Sequence, residues 1–182
     1  PVEEGDPGER IVRTLAQLPP LEKATLRDRF ESLVADDLPR SRLVALRTSG
    51  TTGTALPVLL TRECLAEWFA VAWRQRRQAG VSPGDAHATF GGQRIVPLGR
   101  AKPPFWRTNA AARQTLFSTY HLSGRFLPAY VEALHALPAR YVQGYPSALH
   151  LVARALLDAG RPLPKGRLAG VFTSSETLLA FQ

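Results

Sequence analysis

The stretch Leu43–Thr61, LVALRTSGTTGTALPVLLT, sets six Thr, Ser and Gly residues between two apolar runs of strand length. The runs "LVAL" and "PVLL" predict two strands joined by the loop Thr48-Ser49-Gly50-Thr51-Thr52-Gly53. Glycine tolerates positive φ and lets backbone approach closely, so successive N–H groups in such a loop can converge on an anion. The hydroxyls of Thr48, Ser49, Thr51 and Thr52 add further donors. Composition alone leaves two readings open, a phosphate cradle and a flexible hairpin loop. No Gly-Lys-Ser/Thr follows, so this is not a Walker A loop, and the glycine spacing does not fit a dinucleotide fingerprint.

On the N-terminal side the period is helical. "GERIVRTLAQL" spaces Ile11, Leu15 and Leu18 on one face and stops at Pro19-Pro20. "LEKATLRDRFESLVADDL" places Leu26, Phe30 and Leu33-Val34 at the same spacing before Pro39. On the C-terminal side Thr61 is placed to cap a helix that ends at Gly80, with Leu65, Trp68, Phe69, Ala72 and Trp73 on its inward face. "AHATF" reads as a strand ending at Gly91-Gly92, and 93–109 as an extended loop. "QTLFSTY" reads as another strand, and Ser123 as the cap of a helix containing Tyr130, Val131 and Leu134. A further strand, "ARYVQG", leads through Tyr145 to Pro146 at the first position of a helix that stops at Gly160. The run Leu168–Phe172 is the next strand, and Thr173-Ser174-Ser175-Glu176 is expected to turn into a helix. The expectation is an α/β fold: a helical lead-in over 1–40, then alternating strands and helices over 41–182.

The bulk composition narrows the function classes. The 182 residues carry a net charge of +8, yet the cations are spread from Arg10 to Arg167 without a long block. The densest group, Arg74-Gln75-Arg76-Arg77, lies at a predicted helix end, where the dipole favours cations. This distribution argues against a nucleic-acid interface. No run has the length and apolarity of a membrane span, and one cysteine excludes an internal disulfide framework, so the expected location is the cytoplasm. Cys64 is expected to be a small core residue. The four histidines, His87, His121, His135 and His150, lack zinc-ligand spacing, and no Gly-x-Ser-x-Gly elbow is present. The chain opens without Met and closes at Ala180-Phe181-Gln182, which reads as a piece of a longer protein.

The order of residues in Thr48–Gly53, followed by Pro57, resembles the phosphate loop of the adenylate-forming enzymes, the superfamily of acyl-CoA synthetases. "GYPSALHLVARALLDAG", "FTSSETL" and "LSGRFLPAYVEALHALPARYVQ" narrow the likeness. They are similar to the branch of phenylacetate–CoA ligases, coenzyme F390 synthetases and CapK-type capsule proteins. The resemblance extends from about Leu18 to the end and implies the incomplete N-terminal part of an adenylate-forming core.

That resemblance implies roles position by position. Thr48, Ser49, Gly50, Thr51, Thr52 and Gly53 would hold the β- and γ-phosphates of ATP. Ser174, Ser175 and Glu176 would lie against the adenine. Tyr145 and Ser147 would line the acid pocket, and His121, at a strand end, would face the substrate. From the residues alone, Ser174–Glu176 and Tyr145–Ser147 also read as helix starts, and His121 reads first as a polar strand end. The family's magnesium ligand, its ribose aspartate and its C-terminal lysine would follow Gln182, so the catalytic residues are expected beyond this chain. Many relatives continue the loop with Gly-Lys-Pro, whereas Gly53 is followed here by Thr54-Ala55-Leu56, which removes one cation and leaves the backbone cradle. The implied activity is activation of a small carboxylic acid, of aryl type, by Mg-ATP. The acyl group then passes to CoA or another acceptor, and the intact protein is expected to be a homodimer. The alternative is a non-catalytic basic module that holds a nucleotide or nucleic acid on the same scaffold.

Overall fold

The computed structural model describes residues 7–48 and 55–182, and the chain divides into two units, Pro1–Leu65 and Ala66–Gln182. Ser49, Gly50, Thr51, Thr52 and Gly53 of the candidate loop lie outside the described residues; Thr48 lies within them.

In the first unit the lead-in is helical. Helix α1 (Pro7–Gln17) ends just before Pro19-Pro20, and Ile11, Leu15 and Leu18 are exposed along its apolar side. Helix α2 (Lys23–Asp28) is shorter than the sequence period suggests. Arg29 leaves the α region at φ −115°, and the chain continues as a 3-10 turn over Phe30–Leu33. Strands β1 (Leu43–Arg47) and β2 (Pro57–Thr61) then pair antiparallel, from Leu43 opposite Thr61 to Arg47 opposite Pro57. Thr48 adds a further rung: its N–H donates to the Leu56 carbonyl at 3.0 Å, and its Oγ1 accepts from the Leu56 N–H at 2.9 Å.

Helix α3 (Arg62–Gln78) begins under the expected cap, with the Cys64 N–H donating to Thr61 Oγ1 at 3.1 Å. Its inward face differs from the sequence expectation. Trp68 and Phe69 are exposed, at 63% and 54%, while Leu65, Ala72 and Trp73 are half-buried. The packed stripe in the second unit is set by Trp73, Arg76 and Ala79. The Arg76 guanidinium lies 5.5 Å from the rings of both Trp73 and Phe172, and its stem and cation–π contacts place a charged residue where a hydrophobic pattern finds none. Cys64 is also exposed rather than in the core.

The second unit carries a five-stranded sheet in the order β4-β5-β3-β6-β7. Its strands are β3 (His87–Gly91), β4 (Trp106–Asn109), β5 (Gln114–Ser118), β6 (Tyr141–Gly144) and β7 (Gly170–Thr173). Strand β3 is parallel to β5 and β6, and β6 is parallel to β7; β4, in a segment expected to be loop, is antiparallel to β5. Helices α4 (Leu127–Ala136) and α5 (Pro146–Asp158) provide the connections from β5 to β6 and from β6 to β7. This is the α/β class with a mostly parallel sheet. Ser123 contributes to α4 through its carbonyl, which accepts from Phe126 and Leu127, and the helix itself starts behind Phe126.

Alternation along the strands sorts the two faces. Ala88, Phe90, Phe117 and Val142 point into one core, where Tyr130 and Leu134 of α4 and Val152 and Leu156 of α5 meet them. Phe90 and Phe117, paired across β3 and β5, stack with centroids 4.6 Å apart. The other face carries a polar ladder. Gln114 and Gln143 both donate to Thr89 Oγ1, at 2.9 and 3.1 Å, and Arg76 donates to Gln143 Oε1 at 2.5 Å. No helix among the described residues is long and apolar enough to cross a membrane.

Candidate functional site

Because β5, β3, β6 and β7 are parallel, their carboxyl ends share one edge. Strand β5 lies on one side of β3 and β6 on the other, so the connections diverge between the ends of β3 and β6. Open α/β sheets bind ligands in the crevice such a divergence creates. The residues gathered there are Gly91-Gly92, Gly144-Tyr145 and the turns that follow β5 and β7.

Two glycines let these ends approach. Gly144 has φ +156°, and a Cβ on it would sit 2.2 Å from the Phe90 carbonyl oxygen; the same oxygen accepts from the Tyr145 N–H at 2.9 Å. At Gly92 a Cβ would lie 2.4 Å from the Tyr145 hydroxyl oxygen. The half-buried Tyr145 ring therefore lies across the end of β3. Tyr120 donates its hydroxyl to the Gly92 carbonyl at 3.0 Å, and Thr119 donates to Gly91 at 3.1 Å.

Helix α5 starts without a side chain of its own to cap it. Its N-cap residue is Tyr145, and Pro146 next to it has no N–H to satisfy. The first free donor, the Ser147 N–H, is taken by Glu176 Oε2 at 3.0 Å. A carboxylate at a helix N-terminus gains both a charge-assisted hydrogen bond and the dipole. The Thr173–Glu176 segment is thereby pinned twice, since the Ser174 N–H also donates to the Gly144 carbonyl at 3.2 Å. Ser175, between the pins, is held at φ +68°, an uncommon conformation for a residue with a side chain. The expected helix after Thr173 does not form: positive φ breaks the α path, and the Glu176 carboxylate is engaged on α5.

His121 is buried, in a 3-10 turn after β5. Its Nε2 donates to the Leu98 carbonyl at 3.1 Å and its Nδ1 is hydrogen-bonded to the Ser118 hydroxyl at 2.8 Å. A carbonyl can only accept, which places a proton on Nε2. The ring also stacks on Phe105 at 4.8 Å. With both nitrogens engaged inside the protein, His121 ties the 92–104 segment to the end of β5. Tyr130 donates to the Ser118 carbonyl at 2.6 Å, and burial pushes its phenol above the ordinary range.

Tyr145, Ser147, Ser174, Ser175 and Glu176 thus meet along one edge. Gly92, Gly144 and Tyr120 join them without having been singled out from sequence; the only signal was a glycine at each strand end. Thr48 closes the β1–β2 hairpin in the first unit. Two clefts, of about 670 and 470 Å³, are lined by Arg27–Ser32 and by first-unit residues such as Leu26, Phe30 and Leu59. They contain none of the candidate residues. Among the described residues no three His, Cys, Asp or Glu side chains gather to hold a metal ion.

No family model matches the chain. A solved 2-hydroxyisobutyryl-CoA ligase, in complex with 2-HIB-AMP and CoA, superposes at a TM-score of 0.45 with 18% identity, over 87% of this chain and 34% of that one. Protein CapK of Staphylococcus aureus is 28% identical over 172 residues, which take in 94% of this chain. The chain spans 38% of CapK's length, and it is similar to CapK through almost the whole of its own.

Proposed function

We propose that this chain is part of an adenylate-forming acid ligase of the phenylacetate–CoA ligase and CapK-like branch, residues 41–182 forming part of its nucleotide- and acid-binding core. The observation that carries this reading is the joining of Gly144-Tyr145-Pro146-Ser147 to Thr173–Glu176 at the diverging ends of parallel strands. Those are the two segments whose sequence resembles the family's acid-pocket and adenine walls. Similarity to CapK along 94% of the chain supports it.

In this reading a carboxylate oxygen attacks the α-phosphorus of ATP, the bond to the β-phosphate breaks, and pyrophosphate leaves. The hydroxyl and backbone donors of Thr48–Gly53 would stabilise the departing charge. Ser174 and Ser175, on a turn pinned at both ends, form the wall for adenine, and Tyr145 bounds the acid, which is of aryl type. His121 and Tyr130 act from behind by holding the turn after β5. The acyl group then passes from the adenylate to a thiol, CoA, with release of AMP. Magnesium would neutralise phosphate charge when bound.

The test is acid-dependent ATP–pyrophosphate exchange by the full-length protein across aryl and aliphatic acids, with Thr51→Ala and Thr52→Ala alongside. Exchange with an aryl acid that drops at least tenfold in both variants is the expected outcome, in line with losing oxyanion-type donors. A folded protein that binds ATP and exchanges with no acid would instead be a non-catalytic nucleotide module.

A further inference from the structure

The family resemblance places Glu176 against the adenine, whereas its carboxylate reaches the start of α5. Oε2 accepts from the Ser147 N–H at 3.0 Å, and the ion pairs among the described residues do not include Glu176. Two backbone bonds complete a circuit around that contact. The Ser174 N–H donates to the Gly144 carbonyl at 3.2 Å, and the Tyr145 N–H donates to the Phe90 carbonyl at 2.9 Å. Residues 144–147 and 174–176 thereby form one clasped unit at the ends of β3, β6 and β7.

Two features make this clasp a switch rather than a fixed brace. Glu176 and Ser147 are both exposed, so water competes for the carboxylate and the amide, and the bond closes with little net gain. Ser175, between the pins, is held at φ +68°, a conformation that a residue with a side chain keeps only while its surroundings enforce it. With the Glu176 pin open, Ser175 can return to negative φ and the turn can leave α5. A ligand that rests on the turn and favours the closed form therefore also fixes Tyr145 and Ser147, and the converse follows by linkage. We propose that Glu176 is a positioning residue that couples the two walls of the site, so that nucleotide on the Thr173–Ser175 turn and acid beside Tyr145 strengthen each other's binding. This rests on the proposed division of the edge into a nucleotide wall and an acid wall. A carboxylate that touched adenine directly would change nucleotide binding alone.

The experiment is calorimetric titration of the full-length protein with α,β-methylene-ATP, whose bridge between the first two phosphates cannot be cleaved, alone and at saturating phenylacetate. Wild type is expected to bind the analogue at least about fivefold more tightly with phenylacetate present, the lower end of ordinary coupling between sites. In Glu176→Ala that factor should fall below about twofold, because neither ligand then distinguishes a clasped form. Glu176→Gln keeps an acceptor oxygen and should retain most of the coupling; melting curves establish that both variants are folded. Amide hydrogen exchange adds a readout that needs no acid. The analogue alone should slow the Ser147 N–H at least about threefold in wild type and leave it unchanged in Glu176→Ala. Wild type without coupling, coupling that survives Glu176→Ala, or a loss confined to the analogue's own affinity would overturn the proposal. ATP–pyrophosphate exchange reports on acid activation separately. Coupling without exchange keeps the clasp and removes the ligase reading; exchange with coupling intact in Glu176→Ala does the reverse.

Discussion

Glu176 Oε2 accepts a hydrogen bond from the backbone N–H of Ser147 at 3.0 Å, across 29 positions of sequence. Tyr145 cannot cap α5 and Pro146 has nothing to donate, so the helix borrows its cap from the turn after β7. The same bond places that turn beside the mouth of the sheet, coupling a local need of one helix to the shape of the candidate site.

Glu176→Ala should cost about 1 kcal/mol, the usual loss when a helix cap is removed. Glu176→Gln retains an acceptor oxygen and should cost clearly less. Amide hydrogen exchange checks this at one atom: Ser147 N–H should exchange faster in Glu176→Ala, while amides in the middle of α5 stay as they are.

Gly144 and Gly92 should answer differently to alanine. At Gly144 the new methyl meets backbone, the Phe90 carbonyl at 2.2 Å, at φ +156°. Strain and overpacking together make a loss of about 3 kcal/mol the expected result in urea unfolding. At Gly92 the obstacle is the far end of the Tyr145 side chain, which can swing. Gly92→Ala should therefore stay within about 1 kcal/mol of wild type and change ligand binding at Tyr145 instead.

His87 gives a pH prediction. Its imidazole stacks on Tyr141 at 4.5 Å, and burial lowers its pKa below the ordinary 6.5, with Arg76 adding to the effect and the Asp85 carbonyl opposing it. Between the folded value and 6.5 the unfolded chain binds a proton that the folded chain refuses. Stability from this group is complete above 6.5 and is lost as pH falls toward the folded value. Urea unfolding should show that decline, and His87→Gln should flatten it; a slope unchanged in the variant would assign it to another group.

Tyr130→Phe should cost about 1–2 kcal/mol, because the buried Ser118 carbonyl loses its 2.6 Å donor without gaining water. If the turn holding His121 depends on that bond, exchange should also quicken at the amides of Thr119–His121.

What could be read in advance was local. Helix α5 follows from Pro146 at its start, Ala148, Val152 and Leu156 one turn apart, and Gly160 at its end. The β1–β2 hairpin follows from two apolar runs around a Gly/Thr loop. Tyr145, Ser147 and Glu176 were recognisable as candidates through family resemblance, whereas Gly92 and Tyr120 were not. In α3 the sequence pattern pointed to Trp68 and Phe69, and the sheet chose the stripe containing Arg76, because a guanidinium stacked on Phe172 packs as well as an apolar side chain.

The sequence by itself determined α1, α3, α4, α5 and the strands other than β4, together with the α/β alternation and the glycines at the strand ends, since backbone preference and side-chain period act over a few neighbouring residues. Only the tertiary structure decided that Glu176 caps α5, that His121 turns inward to Ser118 and Leu98, and that the 92–104 segment is fastened to the end of β5. Each of those is a contact between distant positions. A polar side chain desolvated on folding must take whatever partner the strand order brings within hydrogen-bonding reach, and no local pattern records which partner that will be.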